Sequence, residues 1–276
     1  MSASPPPGDL ADRTRRYEAL YAGAWADLAR LRADPRLAPW LLPEATPVLA
    51  YGAWQTARLT TAALNPSEDE FQTRDAPRRP LPAAHQRLLH WPADGHLTPA
   101  RLAEARRRAE GYFTLGQAYA TWFGRYRGLL AGLDLPFERG LACQTNYGSP
   151  FTTVVGWGAV RPAAVRTRLA ADGAPRWRHL LDLLPCLEII LGQGAGWRSI
   201  PPLFGFTPDT WVPVPTPFDA KGGAAAGPRP HLLYHPVTVA SRPVQLFWWR
   251  PNRGGPLTWL STTEAMALGR LIAGYR

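Results

Sequence analysis

Two short polar runs hold the residue types that chemistry needs. Asn65-Pro66-Ser67-Glu68-Asp69-Glu70-Phe71 gathers an amide, a hydroxyl, three carboxylates and an aromatic ring. A carboxylate can take a proton, whereas an amide holds a polar ligand or a water without titrating near neutral pH. Asn146-Tyr147-Gly148-Ser149-Pro150 offers a second amide, with donor and acceptor in one plane. Each run follows a stretch that suits a strand, Arg58 to Leu64 before the first and Gly140 to Asn146 before the second. Open α/β sheets bind ligands beyond the carboxyl ends of their strands, which makes both runs candidate site walls. The residues alone favour a plainer reading. Asn-Pro is a common turn dipeptide, and Asn146 could close an Asx turn near Gly148. The acidic triplet suits a solvated helix start, with Glu70 or Asp69 available for catalysis only if the loop folds inward.

A third run, Arg250 to Leu260, contains Asn252-Arg253-Gly254-Gly255 just before a helix. Glycines admit a close backbone approach to phosphate, arginine pairs with it, and amides at a helix start favour an anion; a Gly/Pro turn explains the same residues. Other schemes lack their residues. Two cysteines and six scattered histidines show no zinc spacing, and no H-E-x-x-H, paired C-x-x-C or G-x-S-x-G run occurs. Glu68-Asp69-Glu70 is the one carboxylate cluster of the kind that metal-dependent chemistry uses. Gly192-Gln193-Gly194-Ala195-Gly196 lacks the lysine of a phosphate loop and the spacing of a dinucleotide fingerprint. No metal and no cofactor is expected.

The elements that position these runs follow from periodicity. Thr14 to Leu31 carries Tyr17, Leu20, Tyr21, Trp25, Leu28 and Leu31 at helical spacing. Thr98-Pro99 is an N-cap followed by proline, opening a helix expected to run to about Leu130. Cys186 to Leu191, His231 to Val239 and Val244 to Trp249 suit strands, and Ser261 to Glu264 is a capping-box pattern ahead of the last helix. The expected architecture is α/β, a three-layer α/β/α sandwich with a central, mostly parallel sheet. Residues 1–13 are expected to be a disordered tail, residues 14–276 one domain, and residues 201–230 a Pro/Gly-rich excursion from it. The formal charge of +10 favours a polyanionic partner, although Lys221 is the only lysine and an arginine-rich composition has other origins. No apolar stretch is long enough to span a membrane and the N-terminus lacks a signal-peptide core, so a cytoplasmic monomer is expected.

The run LNPSEDEF resembles the first motif of the uracil-DNA glycosylase superfamily, in which a strand delivers Gly-x-Asn-Pro or Gly-x-Asp-Pro into the pocket with an aromatic ring soon after. The run ACQTNYGSPF, Ala142 to Phe151, is similar to a second block of that superfamily, and the aromatic segment between them to a bacterial glycosylase-like branch. Two departures stand out. Ala63 replaces the usual glycine, and the usual His-Pro-Ser loop is missing, with His235-Pro236 followed by Val237 inside a strand-like run. The resemblance implies a DNA repair glycosylase that hydrolyses the N-glycosidic bond of uracil or a related damaged base in flipped-out DNA. It implies that Asn65 orients the attacking water, that Pro66, Ser67 and Tyr147 line the pocket, that Phe71 stacks on the base, and that Asn146 reads its edge. It makes Asn252, Arg253, Gly254 and Gly255 the positions of a DNA clamp, with Leu257 or Trp259 as a wedge. A noncatalytic DNA-binding protein on the same fold is the alternative, and a pocket for a free nucleoside a third.

Overall fold

A computed structural model describes residues 7–75, 78–115, 120–160, 163–218, 232–250 and 260–275. The first helix, α1 (Pro7–Ala33), buries Tyr17, Tyr21, Trp25, Leu28 and Leu31, the stripe read from the sequence. It starts seven residues before the expected Thr14. Proline suits the opening of a helix, and Asp9 near its start pairs with Arg13 one turn on at 2.7 Å. The part of the expected tail from Pro7 onward is therefore helix.

A short strand β1 (Ala50–Tyr51) precedes β2 (Leu59–Ala63), in which every residue is buried. Its two threonines are tolerated there because their hydroxyls find partners: Thr60 meets Thr145 at 3.0 Å, and Thr61 donates to Gln144 at 3.5 Å. Thr98 caps α2 (Pro99–Glu110) by accepting from the Arg101 amide. The long helix expected beyond it is broken. Gly111 closes α2, and the chain resumes as α3 (Ala120–Phe123), a 3₁₀ turn at Gly124–Tyr126, and α4 (Arg127–Leu133). Breaking it lets Tyr112, Phe113, Phe123 and Tyr126 gather around Phe137 as one aromatic cluster, where a straight helix would have strung them along a face.

Next come β3 (Ala142–Asn146), α5 (Ala163–Ala170), α6 (Gly173–Leu183), β4 (Ile189–Gln193), β5 (Val212–Val214), β6 (Leu232–Val239), β7 (Arg242–Trp249) and α7 (Thr262–Ala273). Ser261 and Glu264 form the expected reciprocal capping box. Among the described residues the strands form one sheet in the order β1-β3-β2-β4-β7-β6-β5. Its centre, β3-β2-β4-β7, is parallel, and β1, β6 and β5 join antiparallel. One face packs against α1, α5 and α6 through residues such as Trp25, Leu169, Trp177 and Leu181; the other packs against α4 and α7 through Leu129, Leu130, Leu268 and Ile272. The helices α4 and α7 approach backbone to backbone. A Cβ on Gly132 would lie 2.1 Å from the Met266 carbonyl, and one on Gly269 would lie 2.2 Å from that of Leu129.

The segment expected to leave the domain at 201–230 is packed as far as it is described. Pro201, Trp211, Val214, Thr216 and Phe218 are buried, and Val212–Val214 is the edge strand beside β6. Burial of these apolar rings outweighs the loop-like composition. Residues 219–231 lie outside the described residues. His235-Pro236 sits inside β6, with the imidazole stacked on Phe206 at 3.8 Å. No helix among the described residues is long and apolar enough to cross a membrane.

Candidate functional site at the strand ends

From β2 the chain moves to β3 on one side, and its next parallel strand, β4, lies on the other side of β2. Loops leaving such neighbours diverge, and the crevice at their carboxyl ends is where open sheets hold ligands. Both polar runs begin there. They are fastened together by the backbone: Tyr147 N–H donates to the Ala63 carbonyl at 2.8 Å, and Gly148 and Ser149 N–H both donate to that of Leu64 at 2.9 Å. Asn65, half-buried, donates from Nδ2 to the Pro66 carbonyl at 3.0 Å and to that of Phe151 at 3.5 Å. Pro66 is buried beside it.

Ser67 accepts from the Asp69 amide and starts a single 3₁₀ turn, Glu68–Glu70. With three residues to the turn, successive side chains point about 120° apart, so the three carboxylates part company. Asp69 turns outward to Arg74 at 3.0 Å and Arg78 at 3.1 Å, and Glu68 lies 3.6 Å from Arg78. Arg74 and Arg78 are thus folded back on the acidic turn. Glu70 turns inward and is 2 % exposed, contrary to the solvated fate that its sequence position suggests. The Tyr112 hydroxyl sits 2.8 and 2.7 Å from its two oxygens, and the Arg87 guanidinium lies 3.7 Å away. Burial pushes the Glu70 carboxyl up to about 7, against the opposing pull of Tyr112 and Arg87. Among the described residues no three His, Cys, Asp or Glu side chains gather as a metal would require.

Asn146 ends β3 on the same face and is 4 % exposed. Its Nδ2 donates to the Val48 carbonyl at 2.9 Å, which fixes which end of the amide is which. Its Oδ1 is buried without a partner. A buried, unmet acceptor costs about 1–3 kcal/mol, a cost that sites meant for a polar ligand often carry. Tyr51, its ring 4.9 Å from that of Tyr112, lies between these groups; burial and the nearby Glu70 both raise its phenol well above the ordinary range. Trp122 donates to Gln144 at 2.7 Å, extending the polar row along the sheet.

Two expected site residues stand elsewhere. Phe71 is 0 % exposed, its ring tilted against His90 at 5.5 Å within the apolar cluster of Leu42, Val48 and Leu88, so no face is presented to a ligand. Tyr147 follows Asn146 in the strand's alternation and packs on the opposite face against Trp177 and Trp248, where burial pushes its phenol up to about 12. Asn252, Arg253, Gly254, Gly255, Leu257 and Trp259 lie outside the described residues. Arg87, Tyr51 and Tyr112 were missed as site residues. Only Tyr112 left a signal, because a buried phenol needs a hydrogen-bond partner and few are available in an aromatic stripe. A scan against protein-family models found no match to this chain, and a search of curated proteins found no similar one.

Proposed function

We propose that this chain is a DNA glycosylase that hydrolyses the N-glycosidic bond of uracil or a related base, on a fold like that of the uracil-DNA glycosylase superfamily. The observation that carries the reading is the Asn146 amide, buried at a strand's carboxyl end with Oδ1 unmet and Nδ2 held by the Val48 carbonyl. An acceptor beside a donor in one plane complements the N–H and carbonyl of a pyrimidine edge, and a pocket built to satisfy them rejects bases that leave them unpaired. As the base leaves with the bond's electron pair, the same N–H stabilises the charge growing on its carbonyl.

Glu70 supplies the base for water. A carboxylate that titrates near neutrality is matched to proton abstraction there, and general-base catalysis is worth about 10²–10⁴-fold. Tyr112 and Arg87 hold its orientation, and Asn65 positions the water without taking its proton. The net charge of +10 favours binding to the phosphates of a DNA strand.

Cleavage of oligonucleotides that contain one uracil, followed by alkali, tests the reading. Abasic product from the wild type, lost in Asn65→Ala with DNA binding retained, is the expected result. The buried Phe71 favours the rival reading, a noncatalytic DNA-binding protein, since the expected stacking ring is packed away. Binding that persists in an Asn65/Asn146 double variant, with no abasic product at any load of wild type, would establish that rival.

A further inference from the structure

A cleft of about 230 Å³ opens on the outer side of the Glu70–Tyr112 pair, lined by Gln86, Arg87, Arg107, Arg108, Tyr112 and Leu115 among others. It adjoins the carboxylate through two shared residues. The Tyr112 hydroxyl meets Glu70 while the residue forms part of the cleft wall, and Arg87 lies within 3.7 Å of the same carboxylate.

Three arginines line this cleft, and Arg107 and Arg108 share one carboxylate, Glu104, at 2.8 and 2.5 Å. The two arginines hold Glu104 down at about 2, so it stays charged and the balance of the arginines stays positive. Donors remain to be used. Glu104 takes Nε and Nη2 of Arg107, leaving its Nη1 without a partner among the described residues. Arg108 gives Nε to Glu104 and Nη1 to the carbonyls of Gln86 and Leu88, leaving Nη2 unused among the described residues. Those carbonyls fix the Arg108 fork in place, and the Asp69 carbonyl does the same for Arg87 at 2.9 Å. Forks fixed from different directions suit a tetrahedral oxyanion with several acceptor oxygens better than one planar carboxylate.

We infer that this cleft is a phosphate subsite, holding a backbone phosphodiester of the nucleic-acid strand whose base is presented to Glu70. The inference rests on the glycosylase reading of the strand-end site and gives it a route of approach. Strand phosphates and free phosphate share this chemistry, and the test separates them.

Arg107 is the residue to change, because its side chain is 60 % exposed and, among the described residues, pairs only with Glu104. Binding of a fluorescent single-stranded oligonucleotide is followed by anisotropy as salt is raised, for wild type, Arg107→Ala and Arg107→Glu. Arg139→Ala is the control, since it removes an equally exposed charge beside the amino end of β3. Circular dichroism confirms that each variant is folded. The expected result is several-fold weaker binding in Arg107→Ala, weaker still in Arg107→Glu, and a salt slope lower by about one phosphate contact, with the control unchanged. Wild-type slope and affinity in both Arg107 variants would overturn the subsite while leaving DNA binding intact. A wild type that binds no oligonucleotide would overturn the glycosylase reading and the subsite together. Inorganic phosphate that raises the melting temperature of such a wild type, but not that of Arg107→Ala, would reassign the cleft to a small phosphorylated ligand.

Discussion

Replacing Glu70 with Gln keeps the shape of the side chain and an oxygen for the Tyr112 hydroxyl while removing the ionisable group. Its effect on stability therefore isolates the charge. In the folded chain the carboxyl is raised from the ordinary 4.5 to about 7 because burial penalises the anion. Below pH 4.5 both folded and unfolded chains hold the proton and nothing is lost. As the pH rises the unfolded chain ionises first, so stability falls until the folded carboxyl also ionises near 7, and is level above that. A pKa difference of about 2.5, at about 1.4 kcal/mol for each whole step, amounts to about 3–4 kcal/mol, of which about 3 kcal/mol falls between pH 4 and pH 8. Denaturant unfolding of wild type and Glu70→Gln at pH 4 and pH 8 measures this directly. The variant should gain about 3 kcal/mol relative to wild type between those two pH values, because other titrating groups cancel in the comparison. A stability difference equal at both pH values would refute the placement of Glu70 as a buried, charge-resisting carboxylate.

Tyr112→Phe removes the donor that favours the ionised form, so its cost should be larger at pH 8, about 1.5–3 kcal/mol, than at pH 4, where the carboxyl is neutral; parallel unfolding curves check the difference. Gly192→Ala places a Cβ 2.1 Å from the Trp248 ring between β4 and β7, and the overpacking should lower stability by about 1–3 kcal/mol or more, seen as a reduced melting temperature.

Local signals carried much of the architecture. Thr98-Pro99 and Ser261-Thr262-Thr263-Glu264 start helices because their side chains satisfy amides three residues away, a matter of neighbouring sequence alone. The same holds for β2 and for the placing of Asn65 and Asn146 at strand ends, since a buried run followed by Asn-Pro or Asn-Tyr-Gly has few other outcomes. What the sequence hid depends on distant partners or on the turn's sense. Glu70 points inward because of a 3₁₀ turn and because Tyr112, 42 residues on, waits for it. Phe71 suits a ligand-facing ring by its position in the motif, yet it is fully buried with its ring against His90, 19 residues on. Tyr147 shares a motif with Asn146 but not a face, as strand alternation requires. The break at Gly111 is not legible in the sequence because an aromatic stripe at helical spacing also serves a cluster built from separate turns.

The most direct test of the central claim is release of free base from a single-uracil oligonucleotide by wild type and by Asn146→Ala, under single-turnover conditions with binding measured alongside. The account predicts release by the wild type and a loss of about 10²–10³-fold in the variant, the usual consequence of deleting one preorganised donor to a developing anion. Release by the variant at the wild-type rate would contradict the role given to Asn146, and no release of uracil or any other damaged base by the wild type would contradict the glycosylase itself.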